Sequence, residues 1–124
     1  MLPEQIPPFT ASALVRDPAF VRRTYQRGTA RISVTLARYP MAPSQYDDWV
    51  EMSTAGYPQA ALGIPSDSGN GFYQCAAEGR PPCSLLIQLR AGIHIEIRGD
   101  GAGATRDDVD RIARGLPLPA LAAP

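Results

Sequence analysis

Two stretches of the chain alternate apolar and polar residues with a period of two, the signature of strands that bury one face. In Arg31 to Ala37, Ile32, Val34 and Leu36 share one side while Arg31, Ser33 and Thr35 share the other. The second stretch runs from Leu85 to Ile97. Leu85, Ile87 and Leu89 alternate, Arg90-Ala91-Gly92 turns, and Ile93, Ile95 and Ile97 alternate again against His94, Glu96 and Arg98. A short connection ending in glycine fits a turn with a bulge in which the glycine is left-handed, so this stretch predicts a hairpin. Upstream, Val21 to Gln26 is ambiguous. Asp17-Pro18 suits a helix start and Phe20, Val21, Thr24 and Tyr25 line a helical face, yet Val21, Arg23 and Tyr25 fit a strand equally well. The compact turn at Arg27-Gly28 favours a β-hairpin. Gln59 to Ile64 reads as a weak strand, Ser66 to Gly71 as a turn cluster, and Phe72 to Ala77 as a further strand.

Helical spacing occurs twice. Ser44 with Asp47 reads as a variant capping box, followed by Tyr46, Trp49, Val50 and Ser53 on one face and Gly56 as the stop. Tyr46 and Trp49 are expected to anchor this helix opposite Ile32, Val34 and Leu36. Thr105 with Asp108 caps the second helix, whose stripe is Val109, Ile112 and Ala113 before Gly115 and Pro117. Its Asp107 and Asp108 at the start, and Arg111 and Arg114 at the end, suit the helix dipole and read as solvated charges. The order strand, strand, helix, four short strands, helix predicts an α+β domain. It would be an antiparallel sheet of about five to six strands with two main helices packed on one face and the other face partly wet.

A chain of 124 residues accommodates one domain. Residues 1–16 read as an irregular tether, 17–116 as the domain and 117–124 as a tail. Pro3, Pro7 and Pro8 interrupt the first segment, which lacks a basic start and a continuous apolar run and so is not an intact signal peptide. A hydrophobic share of 44% with only 19% charged residues excludes a disordered composition. Twelve basic and twelve acidic residues cancel, so no global field draws the chain to nucleic acid or an anionic membrane. No apolar run approaches the ~18 residues of a membrane span.

The only two cysteines, Cys75 and Cys83, flank Glu78-Gly79-Arg80-Pro81-Pro82, which can reverse the chain. A disulfide stapling this hairpin is the favoured reading, with free thiols or metal ligation alongside His94 as alternatives. The spacing lacks the paired close ligands of structural zinc sites, and the chain has a single His, so neither metal nor cofactor is expected. A disulfide points to an oxidising compartment, here the periplasm or cell envelope, reached through an export signal or lipid anchor preceding this segment.

Taken together, the hairpin from Tyr25-Gln26-Arg27-Gly28 to Tyr39-Pro40, the Trp49 helix, the stapled hairpin and the closing helix resemble the PsbP-like α+β domains of small bacterial lipoproteins and envelope proteins. The resemblance spans roughly residues 19–116 and lies in element order. It implies an accessory, sensing or ligand-presenting module and carries over no functional residue.

His94 with Glu96 and Arg98 on the polar side of a hairpin is the candidate for acid–base chemistry. The chain has no Gly-x-Ser-x-Gly elbow, phosphate loop or His-Glu-x-x-His motif, and a solvated cross-strand ladder is expected instead. Asp67, with Ser66, Ser68 and Asn70, lacks the acidic repetition of a calcium loop. Arg16 to Arg38 holds six Arg against Asp17 alone, a net of +5. Arg22, Arg23 and Arg27 are therefore the second candidate surface, for anionic lipid, a polyanion or an acidic partner. Aromatic interleaving limited to Phe20, Tyr25 and Tyr39 argues against nucleic acid. The resulting expectation is a non-catalytic, exported binding or accessory module, monomeric or weakly dimeric, whose partner is an unknown protein or small-molecule ligand. The alternatives are a small enzyme using His94 as general base, or a basic hairpin binding anionic lipid or polyanion.

Overall fold

Gly28 and Gly92 fold the two best-patterned stretches back on themselves. Both have positive φ, +58° and +92°, a conformation that glycine adopts without steric cost. Gly28 occupies the first place of the two-residue loop between β4 (Phe20–Arg27) and β5 (Ala30–Arg38), where a type II′ turn requires glycine. Gly92 closes the turn from β7 (Arg80–Leu89) to β8 (Ile93–Asp100), donating its N–H to the Leu89 carbonyl at 3.0 Å. Both hairpins are as the sequence predicts, and Val21 to Gln26 is strand.

The computed structural model describes residues 2–40, 42–52, 69–77, 80–100 and 103–122. Its remaining strands are β1 (Gln5–Ile6), β2 (Phe9–Ala11), β3 (Val15–Arg16) and β6 (Gly69–Ala77). The helices are α1 (Pro43–Met52), α2 (Arg106–Gly115) and α3 (Leu118–Ala122). The described strands form one eight-stranded sheet in the order β1-β2-β4-β5-β8-β7-β6, with β3 also on β4, and every pairing is antiparallel. The α+β class with a large antiparallel sheet is therefore as expected, but the sheet has more strands than the five to six read from the sequence. The expected strand Gln59 to Ile64, Ser53, Gly56 and the turn at Ser66, Asp67 and Ser68 lie outside the described residues.

The additional strands come from the segment read as a tether. Leu2, Ile6 and Phe9 are buried in the core, and the Arg23 and Tyr25 side chains donate to the carbonyls of Leu2 and Pro3 at 2.9 and 2.7 Å. Thr10 and Ala11 of β2 and Val15 and Arg16 of β3 pair along the outer side of β4, an edge that would otherwise leave its backbone groups open. The tail beyond Pro117 is likewise held, with Leu118 buried.

The core is the face that carries Tyr25, Ile32, Val34, Leu85, Ile87, Ile95 and Ile97, all fully buried. α2 lays Val109, Ile112 and Ala113 on it as expected. Gly99 lies beneath this return path, where a side chain would collide with the Cys83 carbonyl and with Ala104.

The two main helices lie on opposite faces, which corrects the expectation that both cover one. His94 alternates with Ile93 and Ile95 and so faces away from α2. The Trp49 ring meets the His94 ring edge-on at 5.9 Å, and its Nε1–H donates to the Asn70 carbonyl at 3.4 Å. Tyr46 and Trp49 therefore do not stand opposite Ile32, Val34 and Leu36. That face is already filled by α2, α3 and the N-terminal residues, so α1 packs on the remaining one. α1 also begins one residue before Ser44, with Pro43 at its first position, and Gln45 Oε1 accepts the Ala42 N–H at 2.9 Å in place of the expected Ser44 cap.

Candidate functional site

His94 is half-buried beneath α1 and belongs to a closed polar chain. The Gln88 amide nitrogen donates to the carbonyls of Tyr39 and Leu89 at 3.1 and 3.2 Å, which orients its oxygen toward His94 Nδ1 at 3.1 Å. An oxygen there accepts, so Nδ1 carries the imidazole proton and Nε2 holds the lone pair. Trp49 and Tyr39 stand beside the ring, with centroids 5.9 and 6.3 Å away. Burial lowers the His94 pKa below 6.5, and the negative charge of Glu96 opposes the shift. His94 is thus a neutral member of a packed network. The solvated ladder expected of His94, Glu96 and Arg98 is present only in its outer half: Arg98 Nε meets Glu96 Oε1 at 3.2 Å in the open. Beside that pair a notch of about 300 Å³ is lined by Gln74, Cys75, Ser84 and Leu86.

The disulfide is formed, and it joins residues directly opposite one another on β6 and β7. Cys83 is fully buried and Cys75 partly so. Among the described strands, the bond fastens the last one in the sheet order to its neighbour.

Strand alternation divides the arginines expected to form one basic surface. Arg22 lies on the α1 side, bonded to Thr35 Oγ1 at 3.0 Å and stacked over Phe20. Arg23 and Arg27 point to the other face. Arg23 is buried on the Leu2 carbonyl, and Arg27 reaches Asp108 at 2.7 Å with its guanidinium over Phe9. Asp108, read as a solvated capping charge, is buried, because the capping box with Thr105 turns it inward to meet Arg27.

A larger concavity lies elsewhere. At the end of the core face that the helices leave uncovered, a groove of about 790 Å³ runs over Val21, Leu36 and Ile93, with Leu121 of α3 as a wall and Asp17 and Arg38 at its rim. That volume falls within the ~300–1,000 Å³ typical of small-molecule sites, which are mostly apolar with a few polar groups. Sequence reasoning did not find it. The signal that existed was the parity of Arg38, two residues beyond Leu36 and so on the apolar face, but Leu121 lay in a segment read as tail.

Among the described residues no three His, Cys, Asp or Glu side chains converge as a metal site, and no helix is long and apolar enough to cross a membrane. Comparison with protein-family models, curated proteins and solved structures finds no match to the chain.

Proposed function

We propose that this chain is a non-catalytic, exported binding or accessory module of the bacterial cell envelope, and that its ligand enters the groove over Val21, Leu36 and Ile93. The observation that carries this reading is the groove itself: core-face side chains form the floor of an open concavity of about 790 Å³. An open concavity of that size with a mostly apolar lining and a few polar groups at its rim is the usual form of a small-molecule site. The disulfide supports the oxidising compartment, and the commitment of His94 to Gln88 supports a role without acid–base chemistry. The resemblance to PsbP-like envelope domains points the same way.

The test is binding of N-phenylnaphthylamine, a neutral dye that fluoresces in apolar surroundings. The folded protein should enhance its emission, Leu121→Asp should abolish most of the enhancement, and Gln74→Ala at the smaller notch should leave it unchanged. Emission no greater than in buffer, or equal emission with Leu121→Asp, would refute the assignment.

A further inference from the structure

We propose that the groove binds a monomeric long-chain carboxylate, with its alkyl chain along Val21, Leu36, Ile93 and Leu121 and its headgroup on Arg38. This rests on the reading that the groove is the ligand site, and it adds the ligand class. Three features of the groove select that chemistry.

The floor and the α3 wall are aliphatic, so they reward buried methylenes without directional demands. Arg38 is the charge that shares their face. It ends β5 two residues beyond Leu36, and strand alternation therefore turns it toward the same side. It is exposed, and among the described residues it forms no ion pair, in contrast to Arg27, Arg90, Arg98 and Arg114. A guanidinium is a planar fork of donors that matches a carboxylate through two parallel hydrogen bonds.

The other charge at the rim is Asp17, which would favour an amine. Its Oδ1 already accepts the Ala19 N–H at 2.9 Å, and its backbone exchanges hydrogen bonds with Phe20 at 2.9 and 3.3 Å. Asp17 thus serves its own turn, whereas the Arg38 fork lies open to a ligand. The headgroup is accordingly anionic and the site reads it at the mouth of the groove, leaving the chain to enter the apolar interior.

The experiment displaces N-phenylnaphthylamine with decanoate, decanol and decylammonium, each below its micelle concentration, from the wild type and from Arg38→Gln. Arg38 is exposed, so the variant retains the fold. Decanoate should bind about tenfold more tightly than decanol, the scale of one charge-assisted contact, and Arg38→Gln should remove that advantage while leaving decanol unchanged. Each methylene added from octanoate to dodecanoate should tighten binding about threefold to fourfold. Equal affinity for decanoate and decanol, a preference for decylammonium, or an unaltered decanoate preference in Arg38→Gln would overturn the carboxylate assignment. In those cases dye binding would still uphold the groove as the ligand site. Failure of the dye to bind the wild type would overturn both.

Discussion

Arg27 and Asp108, 81 residues apart, meet at 2.7 Å and join the first long strand of the sheet to the N-terminus of the helix that closes the core. Asp108 also takes part in the capping box, accepting the Thr105 hydroxyl and N–H at 3.1 and 3.4 Å. One carboxylate therefore holds the helix start and its seat on the sheet. Arg27 is half-exposed, so solvent screens the pair, and Arg27→Met should cost about 1 kcal/mol. Asp108→Ala loses cap and pair together, about 2 kcal/mol. Denaturant melts of the two single variants and the double variant should give a coupling near 1 kcal/mol; a value below about 0.3 kcal/mol would show the contact to be incidental.

The His94 network predicts an acid-side loss of stability. An unfolded imidazole titrates near 6.5, and the buried one takes its proton at lower pH. Between those two values the unfolded chain binds more protons, so the contribution is complete above pH 6.5 and is lost as the pH falls. Urea melts of wild type and His94→Gln should diverge in slope only on the acid side. Trp49→Ala, which uncovers the ring, should raise the His94 pKa toward 6.5 by NMR titration. An unchanged value would mean that α1 does not shield the imidazole.

Tyr73 gives the opposite sign at the alkaline end. Burial, followed by the charge and hydrogen bond of Asp110 at 3.3 Å, raises its pKa from 10.0 to about 12. Its neutral form is favoured in the fold, so its contribution is complete below pH 10 and disappears as the pH rises through about 12. An ultraviolet phenolate titration should show late ionisation that Tyr73→Phe reduces. Tyr25, raised by burial against the opposing charge of Arg23, should remain as a second late group.

Closing the loop between Cys75 and Cys83 should contribute roughly 2 to 3 kcal/mol by restricting the unfolded chain. Thiol titration of the denatured, unreduced protein should find no free sulfhydryl. Replacing both residues by Ser should loosen β6 first, seen as faster amide exchange at Tyr73 and Gln74 than at Ile95 and Ile97 in the centre of the sheet. Uniform exchange across the sheet would show that the bond supports the whole fold and not its edge.

Much of the fold was legible in the residues because the relevant physics is local. Alternation at Ile32, Val34 and Leu36 and at Ile93, Ile95 and Ile97 sorts each strand into a buried and an open side, whatever lies next to it. Gly28 and Gly92 mark turns that need positive φ, Thr105 and Asp108 satisfy a helix start within one turn, and Cys75 and Cys83 lie across a short reversal. Each signal is complete within about ten residues, so the chain alone determined it.

Only the tertiary structure decided which surface each face would meet. The apolar stripe of α1 matched the face of Ile32, Val34 and Leu36 as well as that of α2 did, but one face has room for one layer, and α2, α3 and Leu2, Ile6 and Phe9 occupy it. The same competition drew residues 5–16 into strands. It also gave Arg22, Arg23 and Arg27 separate fates, because adjacent positions on a strand point to opposite sides: Arg22 to Thr35, Arg23 to the Leu2 carbonyl, Arg27 to Asp108. The groove beside Arg38 exists where the helical layer ends, a boundary set by the packed volumes of segments far apart in the chain.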